Sequence, residues 1–194
     1  PAPSESDAPS YPAVFWRYVA AVACLAAGFA DFPLIAYHLQ AAGVARDGAV
    51  PLIFALAMAV DGLAAVAFGR AFDRQPLATL LAVPLASCLF APLVFSNRLG
   101  LVLLGAALWG VGMGAQESVL RAAVAEMIPA ARRGTAYGIF NAVYGVAWFV
   151  GSAAMGMLYD VSLFGLVALS VTSQLAAVPL LLSLRGRRLR VQET

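Results

Sequence analysis

Six long apolar stretches, separated by short loops, leave this chain little choice of solvent. They fall near Ala13–His38, Val50–Phe68, Leu77–Phe95, Leu99–Ala122, Ala136–Tyr159 and Leu163–Leu184. Each fills a window of roughly 19–20 residues, the length at which a helix crosses the hydrocarbon core of a bilayer. Only a helix or a closed barrel satisfies its backbone polar groups there, and runs this long and continuous read as helices. Composition points the same way: 62% of the 194 residues are hydrophobic and 11% are charged. A soluble domain is about half apolar and a quarter charged. The expected fold class is therefore all-α, a polytopic membrane protein with a six-helix transmembrane domain over residues 13–185. Residues 1–12, "PAPSESDAPSYP", read as a polar linker or tail, and residues 186–194 as a basic tail. There is neither an initiator Met nor a signal-peptide pattern, and the linker-like start leaves two readings open, a piece of a longer protein or a half-size protein.

Charge placement predicts orientation. All twelve basic residues are arginine, and ten of them (Arg17, Arg70, Arg74, Arg121, Arg132, Arg133, Arg185, Arg187, Arg188, Arg190) fall on one side of the six-span scheme. Only Arg46 and Arg98 fall on the other. The positive-inside rule then puts both termini in the cytoplasm, and in a bacterium the membrane would be the inner one. Tyr11, Trp16, Tyr37, Phe95 and Tyr159 lie at span ends and suit an interfacial aromatic belt. Cys24 and Cys88 sit in apolar stretches of different spans, a spacing that makes neither a disulfide framework nor a metal site. No cofactor, metal or nucleic-acid partner is expected; the lipid bilayer is.

The chain also echoes itself. "GRAFD" at 69–73 closes the second span, and "GMLYD" at 156–160 closes the fifth, 87 residues later. An odd number of helices per repeat inverts the second copy, so spans 1–3 and 4–6 read as two inverted three-helix repeats. Many secondary transporters are built this way.

Polar residues inside apolar spans are the candidate functional groups. Gly69 and Asp73 are four apart and share a helix face. A glycine there admits a close neighbour, and the carboxylate can face the positive N-terminus of that helix. The other reading of Arg70, Asp73 and Arg74 is an anchor at the headgroups. Asp61, about eleven residues into span 2, lies near the bilayer midplane. A charge there costs roughly 2.5–3.5 kcal/mol, so it should face protein or water and carry a proton, touch a substrate or make a structural hydrogen bond. Asp31, between Gly28 and Pro33, predicts a kinked helix whose freed backbone groups line a cavity. Glu117 and Arg121 stand at the favourable i,i+4 spacing, as a neutralising pair or a switching salt bridge. Trp109 and Trp148 lie near mid-depth, and each N–H needs a partner, either in a cavity beside Gln116 or Asn141 or in the core. Gly138, Ala142, Gly145, Ser152 and Gly156 fall within about 40° of one line on span 5, a small-residue seam for another helix.

"GRAFDR" resembles the loop between the second and third helices of a half in the major facilitator superfamily. "PAARRGTAYGIFNAVYGVAWFVGSAAMGMLYD" resembles the fourth-to-fifth-helix connection and fifth helix of a carboxyl half in that family. Gly69, Asp73 and Arg74 fit the loop motif, whereas Pro76 and Leu77 replace its Gly and basic residue. The resemblance covers residues 13–185 as one half of a twelve-helix transporter. It implies alternating access for a small solute, with Asp73 meeting the fifth helix, whose start is "RRGTAYG", as a gate. It further implies a cavity lined by the first and fourth helices of the half, which favours Asp31, and a partner in an amino-terminal six-helix half or a second copy. Protons are a candidate coupling ion, through Asp31, Asp61 or Glu117.

Two other classes compete. An intramembrane serine protease needs Ser and His within the membrane. The sole histidine, His38, lies at a span end, and the chain has neither GxSxG nor HExxH. "GVGMGA" at 110–115 follows no strand, so it is not a nucleotide-binding loop. The chain is therefore not expected to be an enzyme. A membrane scaffold or half-size subunit acting through a partner is the remaining alternative.

Overall fold

The computed structural model describes residues 11–185. The linker or tail calls for residues 1–10 and 186–194, with Arg187, Arg188 and Arg190, lie outside them. Regular structure among the described residues is helical, and six helices are long and apolar enough to cross a membrane. These are span 1 (Ala13–Ala41), span 2 (Val50–Arg74), span 3 (Pro76–Val94), span 4 (Leu99–Met127), span 5 (Ala130–Val161) and span 6 (Leu163–Leu182). Span 4 runs further than its apolar stretch, and span 5 starts six residues earlier, at Ala130 rather than Ala136.

The turns are as tight as their residues permit. Gln75 alone separates spans 2 and 3, at φ −140° and ψ 72°. The following Pro76 disfavours the helical region for Gln75 and suits the first turn of span 3. Ser162 separates spans 5 and 6 and caps the latter, its Oγ accepting from the Gly165 amide at 3.0 Å. Gly43, after span 1, holds the left-handed φ of 63° that a glycine tolerates.

Spans 1 and 4 are both interrupted near their middles. Span 1 is helical over Ala13–Ala27 and Phe32–Ala41, with the helix interrupted over Gly28–Asp31, where Asp31 is extended. Span 4 contains a π turn over Gln116–Leu120. The kink expected around Asp31 is present, but its freed carbonyls are used in packing. The Gly28 carbonyl accepts from Ser170 Oγ at 2.6 Å and Gln174 Nε2 at 3.1 Å. The Ala30 carbonyl accepts from Trp109 Nε1 at 2.8 Å. The breaks also divide the interior. One apolar cluster, from Phe15 to Leu184, occupies the arginine-rich end, and a second, from Phe29 to Leu166, occupies the other.

The repeat is visible in the packing. Span 1 packs on spans 5 and 6, span 4 packs on spans 2 and 3, and spans 3 and 6 meet each other. Exchanging spans 1–3 with 4–6 maps this pattern onto itself. Glycines set the two closest crossings. A Cβ at Gly110 or Gly114 of span 4 would overlap the Ala57 or Asp61 carbonyl of span 2. One at Gly151 of span 5 would overlap the Ala27 carbonyl of span 1. These positions are close-packing seams among the described helices. Gly138, Gly145 and Gly156 meet no atom within 4 Å of an added Cβ, and Ala142 is exposed. The stripe looks away from the chain's other helices because Gly151, on another face, takes the contact with span 1.

The expected aromatic belt is only partly a belt. Trp16 and Tyr37 are exposed, whereas Phe95 is buried. His38 gathers Phe95 and Tyr159 around itself, with Nδ1 3.0 Å from the Tyr159 hydroxyl and Nε2 3.2 Å from the Ser96 carbonyl. Replacing Gly110 with Val should destabilise the protein by about 1–3 kcal/mol, because helix backbones would have to part. Gly100→Ala, where an added Cβ meets nothing within 4 Å, should leave the melting temperature unchanged in a detergent thermal-shift assay.

Candidate functional site

The π turn in span 4 builds the site. A π turn accommodates an extra residue and widens the helix locally, and such turns concentrate at functional sites. Here Gln116, Glu117 and Arg121 border a cavity of about 80 Å³, faced by Asn141, Tyr144 and Trp148 of span 5. Met113, Leu120 and Phe140 complete it with apolar surface. The span 5 contributors recur about one turn apart, so Phe140, Tyr144 and Trp148 form a ladder, with Tyr144 centred 6.1 Å from Phe140 and 5.7 Å from Trp148.

The polar groups of this cavity are incompletely paired. Gln116 is 2% exposed, and its Oε1 accepts from the Tyr144 hydroxyl at 3.5 Å. Its Nε2 is buried with no partner, and so is Trp148 Nε1. Buried donors are normally satisfied, and an orphan costs about 1–3 kcal/mol. Two such donors at one cavity mark it as a place for an acceptor.

Of the seven residues expected to contact substrate or protons, Gln116, Glu117, Arg121 and Asn141 are brought together here. Asp61 lies behind them: its Oδ1 is 2.8 Å from where a Cβ on Gly114 would sit. Asp31 occupies the break in span 1 without capping the following helix, and it does not line the cavity. Trp109 does not join them. It stacks on Phe29 with ring centroids 5.6 Å apart and spends its N–H on the Ala30 carbonyl, so it is a core residue. The two tryptophans, alike in sequence, thus part company. The i,i+4 reading of Glu117 and Arg121 assumed an α-helix, and the π turn between them changes that register.

The loop residues lie apart from the cavity. Arg70, Asp73 and Arg74 are exposed at the end of span 2, and an added Cβ at Gly69 meets nothing within 4 Å. No helix of this chain uses Gly69 for close approach, because the span 2 crossing with span 4 is centred on Ala57 and Asp61 instead.

Sequence reasoning missed Tyr144, Met113 and Phe140 at the cavity and the donors Ser170 and Gln174 on span 6. For the last pair a signal existed: two polar residues four apart on one face of an apolar helix.

A family model described as Major Facilitator Superfamily matches residues 10–192. The chain belongs to the major facilitator superfamily. With its six apolar helices it is a multi-pass membrane protein of that superfamily. It is similar to an uncharacterized protein of Mycobacterium bovis, 37% identical over 174 residues, which cover 90% of this chain and 42% of that one. Uncharacterized proteins of Mycobacterium tuberculosis strains CDC 1551 and H37Rv match with the same 37% identity and the same coverage. The chain therefore spans 42% of the length of these superfamily relatives. No solved structure is significantly similar to it.

Trp109→Phe should lower stability by about 1–3 kcal/mol, since it orphans the buried Ala30 carbonyl. Trp148→Phe deletes a donor that has no partner and should leave the melting temperature within a degree or two of wild type. Equal destabilisation by both would contradict the division between core and cavity.

Proposed function

We propose that the chain is one six-helix half of a secondary active transporter that moves a small solute by alternating access. The cavity between spans 4 and 5 is the wall of its solute path on this side. The observation that carries this reading is a set of polar, partly unpaired groups held at the level of two helix interruptions in an otherwise apolar bundle. Charged residues within a membrane segment are costly and persist where they face water, a partner or a substrate. Helix discontinuities near the midplane are where transporters place their binding groups.

A second set of six helices would close the cavity. Span 5 is the least buried of the six, with only 11% of its apolar window inside the chain, and its small-residue face is open. An amino-terminal half or a second copy seated there would rock against Gly138, Ala142, Gly145, Ser152 and Gly156. Gly69, Arg70, Asp73 and Arg74 would act at the same interface as a gate between inward and outward states. Asp31, Asp61 and Glu117 are the groups that would carry a coupling proton. Both termini would be cytoplasmic, in the cell membrane. A non-transporting scaffold predicts instead that the buried acids are dispensable.

The test is solute accumulation by the full-length protein in proteoliposomes, offered a mixture of small solutes and read by mass spectrometry, with and without a pH gradient. Protein-containing vesicles should concentrate at least one solute over empty ones, and Glu117→Gln should cut that uptake at least about tenfold. Indistinguishable vesicles would leave the scaffold reading. In the same assay Asp73→Asn should reduce uptake severalfold at unchanged expression, and unaltered uptake would remove the gating role.

A further inference from the structure

The cavity between spans 4 and 5 has a chemical preference that its atoms state directly. Its two orphan donors, Gln116 Nε2 and Trp148 Nε1, are buried and have no acceptor among the described residues. A solute that brings a carbonyl or carboxylate oxygen would satisfy them, whereas one that brings only donors or hydrocarbon would leave them unpaired. The charged groups of the lining ask for both signs. Glu117 and Arg121 both border the cavity, and Asp61 lies behind its wall against Gly114. The lining thus carries one carboxylate and one guanidinium. A simple anion would leave Glu117 without a counter-charge, and a solute that also carries a cationic group would supply one. The remaining walls, Phe140, Tyr144 and Trp148, suit an apolar or aromatic body, with ring faces that favour a cation as well.

Resting on the transport reading of this site, we infer that it takes a small amphipathic solute whose head combines an acceptor oxygen with a primary ammonium group, as in an amino-acid-like zwitterion. The oxygen docks on Gln116 and Trp148, the ammonium lies toward Glu117, and the body packs along the aromatic ladder of span 5. Arg121 and Asn141 supply further donors to the oxygen from the rim.

Three probes with one phenylethyl body separate the requirements. Phenylalanine carries both head groups, 3-phenylpropanoate only the carboxylate, and phenethylamine only the ammonium. Isothermal titration calorimetry on the full-length protein in detergent should show phenylalanine binding at least about tenfold more tightly than either of the others. Glu117→Gln should shrink the advantage of phenylalanine over 3-phenylpropanoate to less than about threefold. Trp148→Phe should do the same to its advantage over phenethylamine. A general structural defect would weaken all three probes together and leave these ratios unchanged. Equal affinity for the three probes, or no heat from any of them at millimolar concentration, overturns the inference. Because binding requires no transport, the two readings fail separately. Selective binding without uptake in proteoliposomes refutes transport and leaves the head-group assignment standing. Uptake of other solutes with no discrimination among the probes does the reverse.

Discussion

The structure depends on how one carbonyl is satisfied. Where span 1 leaves helical geometry at Gly28–Asp31, its backbone groups lose their intrahelical partners in a medium without water. Each would cost several kcal/mol if left bare. The Gly28 carbonyl takes two donors from span 6, and the Ala30 carbonyl takes the indole of span 4. Ser173 Oγ reaches the Cys24 carbonyl at 2.9 Å, one turn earlier. Span 1 is thereby tied to spans 4 and 6 of the other three-helix unit. Its break is a joint that draws the bundle together, although hydrocarbon burial by itself gives helices little reason to associate in a membrane.

That joint explains the division of the interior. Above and below it the helices pack with ordinary apolar side chains, in two clusters that do not need each other's residues. At the two interruptions sit buried polar side chains, Ser170 and Gln174 on the Gly28 carbonyl and Gln116 in the π turn. Spans 1 and 4 occupy equivalent places in the two repeats, and both are interrupted, but the outcomes differ. The break in span 1 is satisfied within the chain. The π turn in span 4 turns its polar side chains outward, toward span 5, and leaves two donors waiting.

How much of this was legible in the sequence follows from what kind of signal each feature leaves. The six spans and their short loops are written in hydropathy, a property of every residue in a window, and errors at single positions do not matter. The kink at Asp31 was legible because Gly28 and Pro33 are local, mechanistic signals. The repeat was legible at only one pair of span ends, yet the packing shows it across all six helices, since it is carried by which faces meet and hardly by residue identity. The π turn left no trace, because nothing in the propensities of "QESVL" distinguishes it from the α-helix on either side. For the same reason Trp109 and Trp148 could not be told apart. Their fates rest on helix rotation, which periodicity leaves open when a span is apolar on every side.

The open face of span 5 is where the physical argument goes beyond the chain. Tyr144 and Trp148 are partly buried, Asn141 and Glu117 are exposed, and Phe149, Val146 and Met157 are exposed on the same helix. Lipid would accept the apolar set but would charge a high cost for Glu117, Arg121 and Asn141 within the spans. A helix whose outer surface carries both kinds of group is stable in a membrane when its polar stripe meets water or protein and its apolar stripe meets lipid. A second bundle across a water-filled gap meets both demands at once, and it accounts for a smooth stripe of glycine, alanine and serine beside the cavity. Small residues allow two surfaces to approach and part without interlocked side chains, which a fixed contact such as Gly151 on Ala27 does not require to move. The fixed seams of the bundle and its open stripe are therefore built from the same residue types for opposite purposes, and what separates them is whether a backbone of this chain lies opposite.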